Sequence, residues 1–180
     1  MTPVSPRLIL INGAPASGKT TLARAWCARH AAELPLALDI DALRAMLGGW
    51  QDDLHAAGLA ARELAVAAIS VHLASGRDVM VPQYLRRVEF VERLEATAAN
   101  CGAVFVETAL RIDAATAAER FDRRAASLGG ADIHSTLPAE MAAVVEDFER
   151  FLLTRPRVVR IPSGEGPLAA LDAAVAAASG

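Results

Sequence analysis

Cysteine, lysine and long apolar runs are all scarce in this chain of 180 residues. Its two cysteines, Cys27 and Cys101, are too few for a disulfide framework or a cysteine-based zinc site, and buried packing is the simplest role for them. No run of about 18 or more consecutive apolar residues occurs, so we expect no membrane span. Met1 to Pro6 lacks the charged start and apolar run of a secretory signal, and we therefore expect a cytoplasmic location.

The chain also lacks the excess of positive charge that is typical of nucleic-acid-binding proteins. Its formal net charge is −3, which argues against a nucleic-acid polyanion as the main partner. Apolar residues make up 53 % of the chain, enough for one substantial core, and no repeat or linker divides it. We expect a single domain over residues 1–180, while the oligomeric state stays open.

Lysine occurs once, at Lys19, whereas arginine is common. A lysine ammonium is a compact point charge, and an arginine guanidinium is a planar fork. The single lysine lies at a position where the binding of phosphate favours a compact charge over a planar one.

Short apolar runs alternate with longer segments of helical spacing. The predicted strands are Arg7–Asn12, Leu36–Asp39, Asp78–Val81, Val104–Leu110 and Val158–Ile161. The predicted helices are Lys19–Ala32, Asp41–Leu47, Leu54–Ser75, Arg86–Asn100, Ala114–Ser127, Ala139–Leu153 and Leu168–Ala178. Leu128–Pro138 is weakly patterned and is predicted to be a loop. Strands separated by helices predict a three-layer α/β/α fold with five parallel strands.

The segment Gly13-Ala14-Pro15-Ala16-Ser17-Gly18-Lys19-Thr20 fits the phosphate-binding P-loop pattern of Gly, four residues, Gly, Lys and Ser/Thr. Glycines allow the backbone to curl so that its N–H groups and the following helix N-terminus face the phosphates of a nucleotide such as ATP. Lys19 is expected to reach the β and γ phosphates, and the Thr20 hydroxyl to join a magnesium shell. Thr21 follows within the same binding segment. The alternative is a glycine turn with a surface lysine.

Two aspartates, Asp39 and Asp41, follow the second predicted strand. Ligands of open parallel sheets bind beyond the carboxyl ends of the strands, so both should share an edge with the P-loop. A hydroxyl acceptor needs a group that holds or removes its proton, and we assign that role to Asp41. Asp39 is assigned to a magnesium-bound water. The alternative is that Asp41 only caps the helix beside it.

The segments LILINGAPASGKTT and LDIDALRAML resemble small P-loop kinases of the zeta-toxin-like and chloramphenicol-phosphotransferase-like group, within the AAA-family ATP-binding proteins. The pair Asp41 and Arg44 also resembles the Asp-x-x-Arg pattern of polynucleotide 5′-hydroxyl kinases. The resemblance implies that Asp41 is the acceptor-activating base and that Arg44 binds substrate phosphate or orients the acceptor. The sharp motifs cover about the first quarter of the chain.

Further roles follow from this resemblance. It implies an acceptor pocket near Trp50, and a loop at Ser163 and Gly164 that passes the adenine base. It also implies a lid over about residues 114–138. Arg120 and Arg124, four apart on one helix face, would close that lid over the phosphates. The alternatives are a core aromatic at Trp50, a simple turn at 163–164 and a solvated helix face for the arginines.

The third predicted strand departs from the pattern of such kinases, which often place an aspartate after it. Here Pro82 and Gln83 occupy that place, and a neutral amide is a poor substitute for a charged metal ligand. The run VMVPQYL is more similar to tunicamycin-resistance-type proteins. Gln83 and Tyr84 are therefore candidate acceptor-binding residues, or else simply the turn after a strand.

Together these observations predict an ATP- and Mg²⁺-dependent phosphotransferase that moves the γ-phosphoryl group to a hydroxyl of a small molecule, such as an antibiotic, a nucleoside-type compound or a metabolite. Two alternatives stay open. One is a polynucleotide 5′-hydroxyl kinase. The other is a nucleotide-binding resistance or regulatory protein with little turnover, which the missing acid at Gln83 favours.

Overall fold

The architecture was obtained as a computed structural model, which describes residues 5–127, 140–164 and 166–178, without the side chains of residues 124–127. The strands are β1 (Arg7–Asn12), β2 (Leu36–Ala37), β3 (Val79–Gln83), β4 (Val104–Arg111) and β5 (Val159–Pro162). The helices are α1 (Lys19–Arg29), α2 (Ile40–Ala45), α3 (Leu54–Ala74), α4 (Val88–Asn100), α5 (Ala114–Ser127), α6 (Met141–Leu153) and α7 (Pro167–Ala177). A 3₁₀ turn at Ala31–Glu33 replaces the predicted last turn of α1.

The five strands form one parallel sheet in the order β2-β3-β1-β4-β5. Successive side chains of a strand point to opposite faces, and β1 shows this directly. Leu8 and Leu10 belong to a core shared with α3, α4 and α6. Ile9 and Ile11 belong to a second core shared with α1 and α7. The predicted three-layer α/β/α fold with five parallel strands is therefore confirmed.

The second predicted strand is shorter than its apolar pattern suggested. Only Leu36 and Ala37 pair with β3, although the Leu38 N–H still donates to the Met80 carbonyl at 2.8 Å. Asp39 leaves the strand to cap α2: its Oδ1 accepts hydrogen bonds from the N–H groups of Asp41 and Ala42, at 3.0 and 3.3 Å. The alternative role of Asp41 as the helix cap is thus wrong, because Asp39 performs it.

The third strand runs through Pro82 to Gln83, two residues beyond the predicted stop. The carbonyls of Asp78 and Met80 accept hydrogen bonds from the β2 side of the sheet. Hydrogen-bonding groups alternate along a strand, so the Pro82 nitrogen faces the same side, beyond the last residue of β2. The missing N–H of proline therefore ends the ladder with β2, whereas β3 continues because Pro82 and Gln83 pair with Ile11 and Asn12 of β1 on its other side.

Helix α3 is long and apolar enough to cross a membrane by length and composition alone. It packs as a domain helix, burying Ala57, Ala61, Ala65, Ile69 and Leu73 on one face. A core helix of a soluble protein passes the same length test, so the test is weak evidence for a membrane.

The carboxyl ends of the parallel strands meet at one edge of the sheet. The P-loop after β1, Asp39 after β2 and Gln83 at the end of β3 all lie at this edge. Residues 128–138 of the predicted lid lie outside the described residues, whereas 114–127 form α5.

Candidate phosphoryl-transfer site

The loop after β1 is shaped by two glycines. A Cβ on Gly13 would lie 2.7 Å from Ser17 Oγ and 2.8 Å from the Leu110 carbonyl oxygen, closer than real Cβ atoms approach. Gly18 has φ +98°, a left-handed conformation that side chains disfavour, and it immediately precedes α1. The loop between them also holds Ala14 and Ser17 buried, with the Ser17 N–H donating to the Ala14 carbonyl at 3.2 Å.

Lys19 begins α1 and its side chain folds back over the loop. Its Nζ donates to the Ala14 carbonyl at 2.8 Å and lies 3.5 Å from Ser17 Oγ. The ammonium is thereby held above the loop at the N-terminus of a helix, where the helix dipole also favours an anion. This places two sources of positive potential at one point.

Thr20 and Asp39 bring two oxygens together. The Thr20 hydroxyl donates to Asp39 Oδ2 at 3.2 Å, while the other carboxylate oxygen of Asp39 caps α2. The P-loop and the start of α2 are therefore joined by one carboxylate. Two hard oxygen donors side by side suit Mg²⁺, which usually takes few protein ligands and completes its shell with water and phosphate oxygens.

Asp41 and Arg44 lie one helical turn apart on α2 and form an ion pair at 3.2 Å. The Arg44 guanidinium also lies over the ring of Trp50, 5.4 Å from its centroid. Among the described residues, Arg44 lines the 250 Å³ cavity that also contains Asp41, whereas Trp50 does not. The arrangement fixes the orientation of the Asp41 carboxylate from behind.

One cavity of about 250 Å³ collects most of these side chains. Its lining comprises Pro15, Ala16, Lys19, Thr20, Asp39, Asp41, Arg44, Pro82, Gln83, Tyr84 and Phe121. Three buried polar atoms of this lining have no hydrogen-bond partner: Arg44 Nε, Gln83 Oε1 and the Tyr84 hydroxyl. Buried polar groups are normally paired, so such atoms in a cavity wall indicate a polar ligand. Burial raises the pKa of Tyr84 above that of a free tyrosine, so its hydroxyl stays protonated and can donate.

Asn12, at the end of β1, was missed by the sequence analysis. Its Oδ1 accepts from the N–H groups of Gly13 at 2.9 Å and Leu85 at 2.8 Å, and its Nδ2 donates to the Leu85 carbonyl at 2.9 Å. This fully buried amide ties the first P-loop residue to the segment that follows Tyr84. Neither the strand pattern nor the P-loop motif signals it, because its partner is 73 residues away.

Helix α5 contributes to two cavities through neighbouring residues. Phe121 lines the 250 Å³ cavity and was also missed by the sequence analysis. Arg120 lines a second cavity of about 200 Å³ together with Ala16, Gly18, Lys19, Thr20 and Thr21. Arg123 pairs instead with Glu119 at 2.6 Å on the solvent side. The side chain of Arg124 lies outside the described residues.

Ser163 and Gly164 lie apart from the cavity of Asp41. They line a separate cavity of about 410 Å³ with Arg111, Ile112, Asp113, Arg160 and Pro162, beyond the ends of β4 and β5. The structure thus brings the predicted P-loop, Asp39, Asp41, Arg44, Gln83 and Tyr84 together, and holds Ser163 and Gly164 in a neighbouring cavity at the same edge.

The residues present fit a magnesium-bound nucleotide. The loop cradle leaves no room for a Cβ at Gly13, a cation and a helix N-terminus face it, and Thr20 and Asp39 supply hard oxygen donors. Among the described residues there is no cluster of three or more His, Cys, Asp or Glu that could hold a metal by itself. The donor set therefore suits a metal that arrives with phosphates.

Fold, loop and cradle together define a P-loop nucleotide-binding domain of the kinase type. A family model described as an AAA domain matches residues 8–148, and the chain belongs to that family. Among curated protein sequences, none matches the chain.

Solved structures share the fold over nearly the whole chain. A gluconokinase from Sinorhizobium meliloti matches with a TM-score of 0.65 and 18 % identity, over 98 % of this chain and 94 % of that one. Kti12 from Chaetomium thermophilum, in complex with ADP-AlF3, matches at 0.68 and 19 %, over 96 % and 99 % of the two chains. The tunicamycin resistance protein of Deinococcus radiodurans matches at 0.58 and 18 %, over 96 % and 95 %. The predicted membership of the small P-loop kinases, with similarity to tunicamycin-resistance-type proteins, is therefore confirmed. At these identities the likeness establishes the fold.

Proposed function

We propose that this protein transfers the γ-phosphoryl group of ATP, bound with Mg²⁺, to a hydroxyl group of a small molecule. The observation that carries the proposal is the single cavity in which the P-loop residues Lys19 and Thr20 meet Asp39, Asp41 and Arg44. A phosphate site and a carboxylate for the acceptor thus open into the same space. The gluconokinase-like fold is in keeping with a small-molecule acceptor.

The P-loop, Gly13 to Thr20, would bind the phosphates through its backbone N–H groups and the N-terminus of α1. Lys19 neutralises the negative charge that develops on the phosphoryl oxygens in the transition state. Thr20 and Asp39 would hold the metal, directly or through water. A metal held there would supply charge neutralisation to the nucleotide phosphates. Ser163 and Gly164, in their cavity at the same edge, would border the base, and Thr21 the outer phosphates.

Asp41 performs the chemistry on the acceptor side. Its carboxylate accepts the proton of the acceptor hydroxyl while the hydroxyl oxygen forms its bond to the γ-phosphorus. The bond from that phosphorus to the bridging oxygen breaks in line with the attack, and ADP leaves with the bonding electron pair. Arg44 holds the Asp41 carboxylate in place, and the unpaired atoms of Gln83 and Tyr84 position the acceptor. Trp50 supports Arg44 from behind.

Water competes with the acceptor, so the phosphoryl group must be shielded. Phe121 supplies an apolar wall to the acceptor cavity, and Arg120 faces the P-loop from the same helix. We assign Arg120 to the transferring phosphoryl group, and Arg124, one turn further along α5, stays a candidate for the same role from its sequence spacing. Residues 1–180 would then form one kinase-like domain in which α5 covers the site.

The test is phosphoryl transfer from γ-labelled ATP and Mg²⁺ to a panel of hydroxyl-bearing metabolites and antibiotics. Wild type, Asp41→Asn and Asp52→Asn are compared, the last being a matched control at an exposed position outside the cavity. We expect Asp41→Asn to lower kcat by about 100-fold or more while ATP affinity stays nearly constant, because a general base contributes about that much. Equal rates for Asp41→Asn and wild type on a productive acceptor would contradict the assignment.

A nucleotide-binding protein with little turnover is a second candidate. The observation in its favour is Gln83, a neutral residue at the end of β3 where many such kinases carry an acid. Tight ATP binding without a labelled product from any acceptor would support it. Steady turnover with one acceptor would exclude it.

A further inference from the structure

A second, larger cavity adjoins the one that holds Asp41. It has a volume of about 630 Å³ and lies between the first half of α3 and the segment that joins β3 to α4. Tyr84 lines both cavities, so the two adjoin at this side chain. A ligand with its hydroxyl at Asp41 can extend along Tyr84 into the second cavity, which we call the arginine groove.

The arginine groove carries an excess of positive charge within a chain whose net charge is −3. Its charged lining consists of Arg62, Arg86, Arg87 and Arg93 against Glu63 and Glu89. Arg93 is neutralised by Glu63 at 2.5 Å, and Arg86 lies 3.7 Å from Asp147. Within the described part of the chain, Arg62 and Arg87 form no ion pair.

Arg62 is held in place although it lacks an ionic partner. Its guanidinium lies over the ring of Phe90, 5.2 Å from the centroid, and Phe90 is buried. Stacking on an aromatic ring leaves the guanidinium N–H groups at its edge available to a carboxylate or phosphate, often through two parallel hydrogen bonds. A pre-oriented arginine loses less side-chain entropy when it binds an anion than a freely moving one.

We propose that the arginine groove binds an anionic group of the acceptor, so that the substrate is a small hydroxyl compound that also carries a phosphomonoester or a carboxylate. This inference rests on the proposed function, because it takes the hydroxyl to lie at Asp41. Arg62 and Arg87 bind the anionic group, and the Tyr84 hydroxyl contacts the connecting part. The negative net charge of the chain favours a small molecule over a polynucleotide.

The test compares glucose, glucose 6-phosphate and gluconate as probes, by calorimetric titration. The protein is first saturated with Mg²⁺ and a non-hydrolysable ATP analogue, so that the P-loop cannot bind the anions. We expect both anionic probes to bind about 10-fold or more tightly than glucose, as expected for charge-assisted hydrogen bonds to arginine. The double variant Arg62→Gln/Arg87→Gln is expected to erase this preference. Arg77→Gln, which removes one positive charge just before β3 at the opposite edge of the sheet, is expected to keep it.

Equal binding of the three probes, no measurable binding of either anion, or an unchanged preference in the double variant would overturn the inference. A 5′-hydroxyl hexadeoxynucleotide that binds more tightly than glucose 6-phosphate, with a steep dependence on salt, would overturn it in favour of a polynucleotide acceptor. Failure of the proposed function gives a different result. No acceptor is then phosphorylated from ATP, whereas the preference of the groove for the anionic probes and its loss in the double variant are measured by binding alone and do not depend on turnover.

Discussion

The hydroxyl of Thr20 lies 3.2 Å from Asp39 Oδ2, and the second oxygen of that carboxylate caps α2. One side chain therefore serves both the proposed metal-binding position and the helix that carries Asp41. Because the two carboxylate oxygens have separate partners, the two roles can be separated by substitution.

Asp39→Asn should remove the metal role and keep the helix. The asparagine carbonyl can still accept from the N–H groups of Asp41 and Ala42, and asparagine caps helices about as well as aspartate. We expect the free energy of unfolding to change by less than about 0.5 kcal/mol, whereas Asp39→Ala should lose about 1 kcal/mol. The Mg²⁺ concentration for half-maximal ATP binding should rise about 10-fold, because a charged oxygen ligand is lost. Asp53→Asn, at the cap of α3, is the matched control. If Asp39→Asn kept the Mg²⁺ dependence of wild type, Asp39 would have the capping role alone.

Gly13→Ala should disrupt the P-loop. The added methyl group would lie 2.7 Å from Ser17 Oγ and 2.8 Å from the Leu110 carbonyl oxygen, and the second of these is backbone on β4. We expect the free energy of unfolding to fall by about 1–3 kcal/mol, as in overpacked cores. ATP affinity should fall more than about 10-fold, at about 1.4 kcal/mol per tenfold change.

Gly58→Ala is the matched substitution for Gly13→Ala. Gly58 lies inside α3 with nothing within 4 Å of its would-be Cβ, so alanine should raise the free energy of unfolding by about 0.5–1 kcal/mol. Urea unfolding of the two variants checks both signs. A Gly13→Ala protein as stable as wild type would show that the loop can move away from β4.

Asn12→Ala should destabilise the fold and disturb both sides of the site. The Leu85 N–H and carbonyl and the Gly13 N–H would lose their partner in a buried place, at a cost of about 2–4 kcal/mol. Asn100→Ala, at the exposed end of α4, should change stability by less than about 0.5 kcal/mol. Thermal unfolding followed by circular dichroism compares them, and similar losses for the two variants would contradict the assignment.

Asn12→Asp adds a pH test of the same site. A carboxylate there keeps the acceptor but buries a charge and loses the donor to the Leu85 carbonyl, so its folded-state pKa should be raised. The unfolded protein then binds fewer protons than the folded one, and stability falls as pH rises from the unfolded pKa through the folded pKa. We expect the deficit of Asn12→Asp relative to wild type to shrink in acid, and a constant deficit between about pH 4 and 8 would contradict the donor role.

Tyr84 is the only tyrosine of the chain, so the ultraviolet absorbance of tyrosinate reports on it alone. Burial raises its pKa, while Arg86 lowers it and Asp147 raises it by smaller amounts. The absorbance midpoint of the folded protein should therefore lie above the ordinary value of about 10. The raised pKa also means that stability is lost as pH rises from the unfolded value through the folded one. An absorbance midpoint at or below that of free tyrosine would show that the hydroxyl of Tyr84 faces water. Arg77→Gln serves as the control for unrelated charge changes.

The sequence was sufficient to predict the features that depend on residues close together in the chain. The P-loop is one contiguous motif between a buried strand and a helix, so its place at the edge of the sheet followed from the fold class. Asp41 and Arg44 lie one turn apart on a single helix, and their pairing is likewise local.

Features that depend on distant partners were not predicted. The amide of Asn12 acts through Leu85, and Phe121 reaches the 250 Å³ cavity because α5 packs against Ala14 of the P-loop. The end of β3 was misplaced because proline normally stops a strand, whereas here Pro82 and Gln83 still pair with β1 on the side that does not need the proline nitrogen. The cap of α2 was assigned to Asp41 as an alternative because both aspartates flank the same boundary, and only the backbone geometry separates them.

Arg120 and Phe121 are adjacent on α5, yet each belongs to a different cavity. A rigid rotation or shift of α5 therefore cannot reshape one of these two cavities and leave the other unchanged. If binding of either ligand favours one position of the helix, the affinities for the two ligands must change by the same factor, whichever binds first. Cooperativity measured from either ligand then reports one quantity, the coupling free energy that passes through α5.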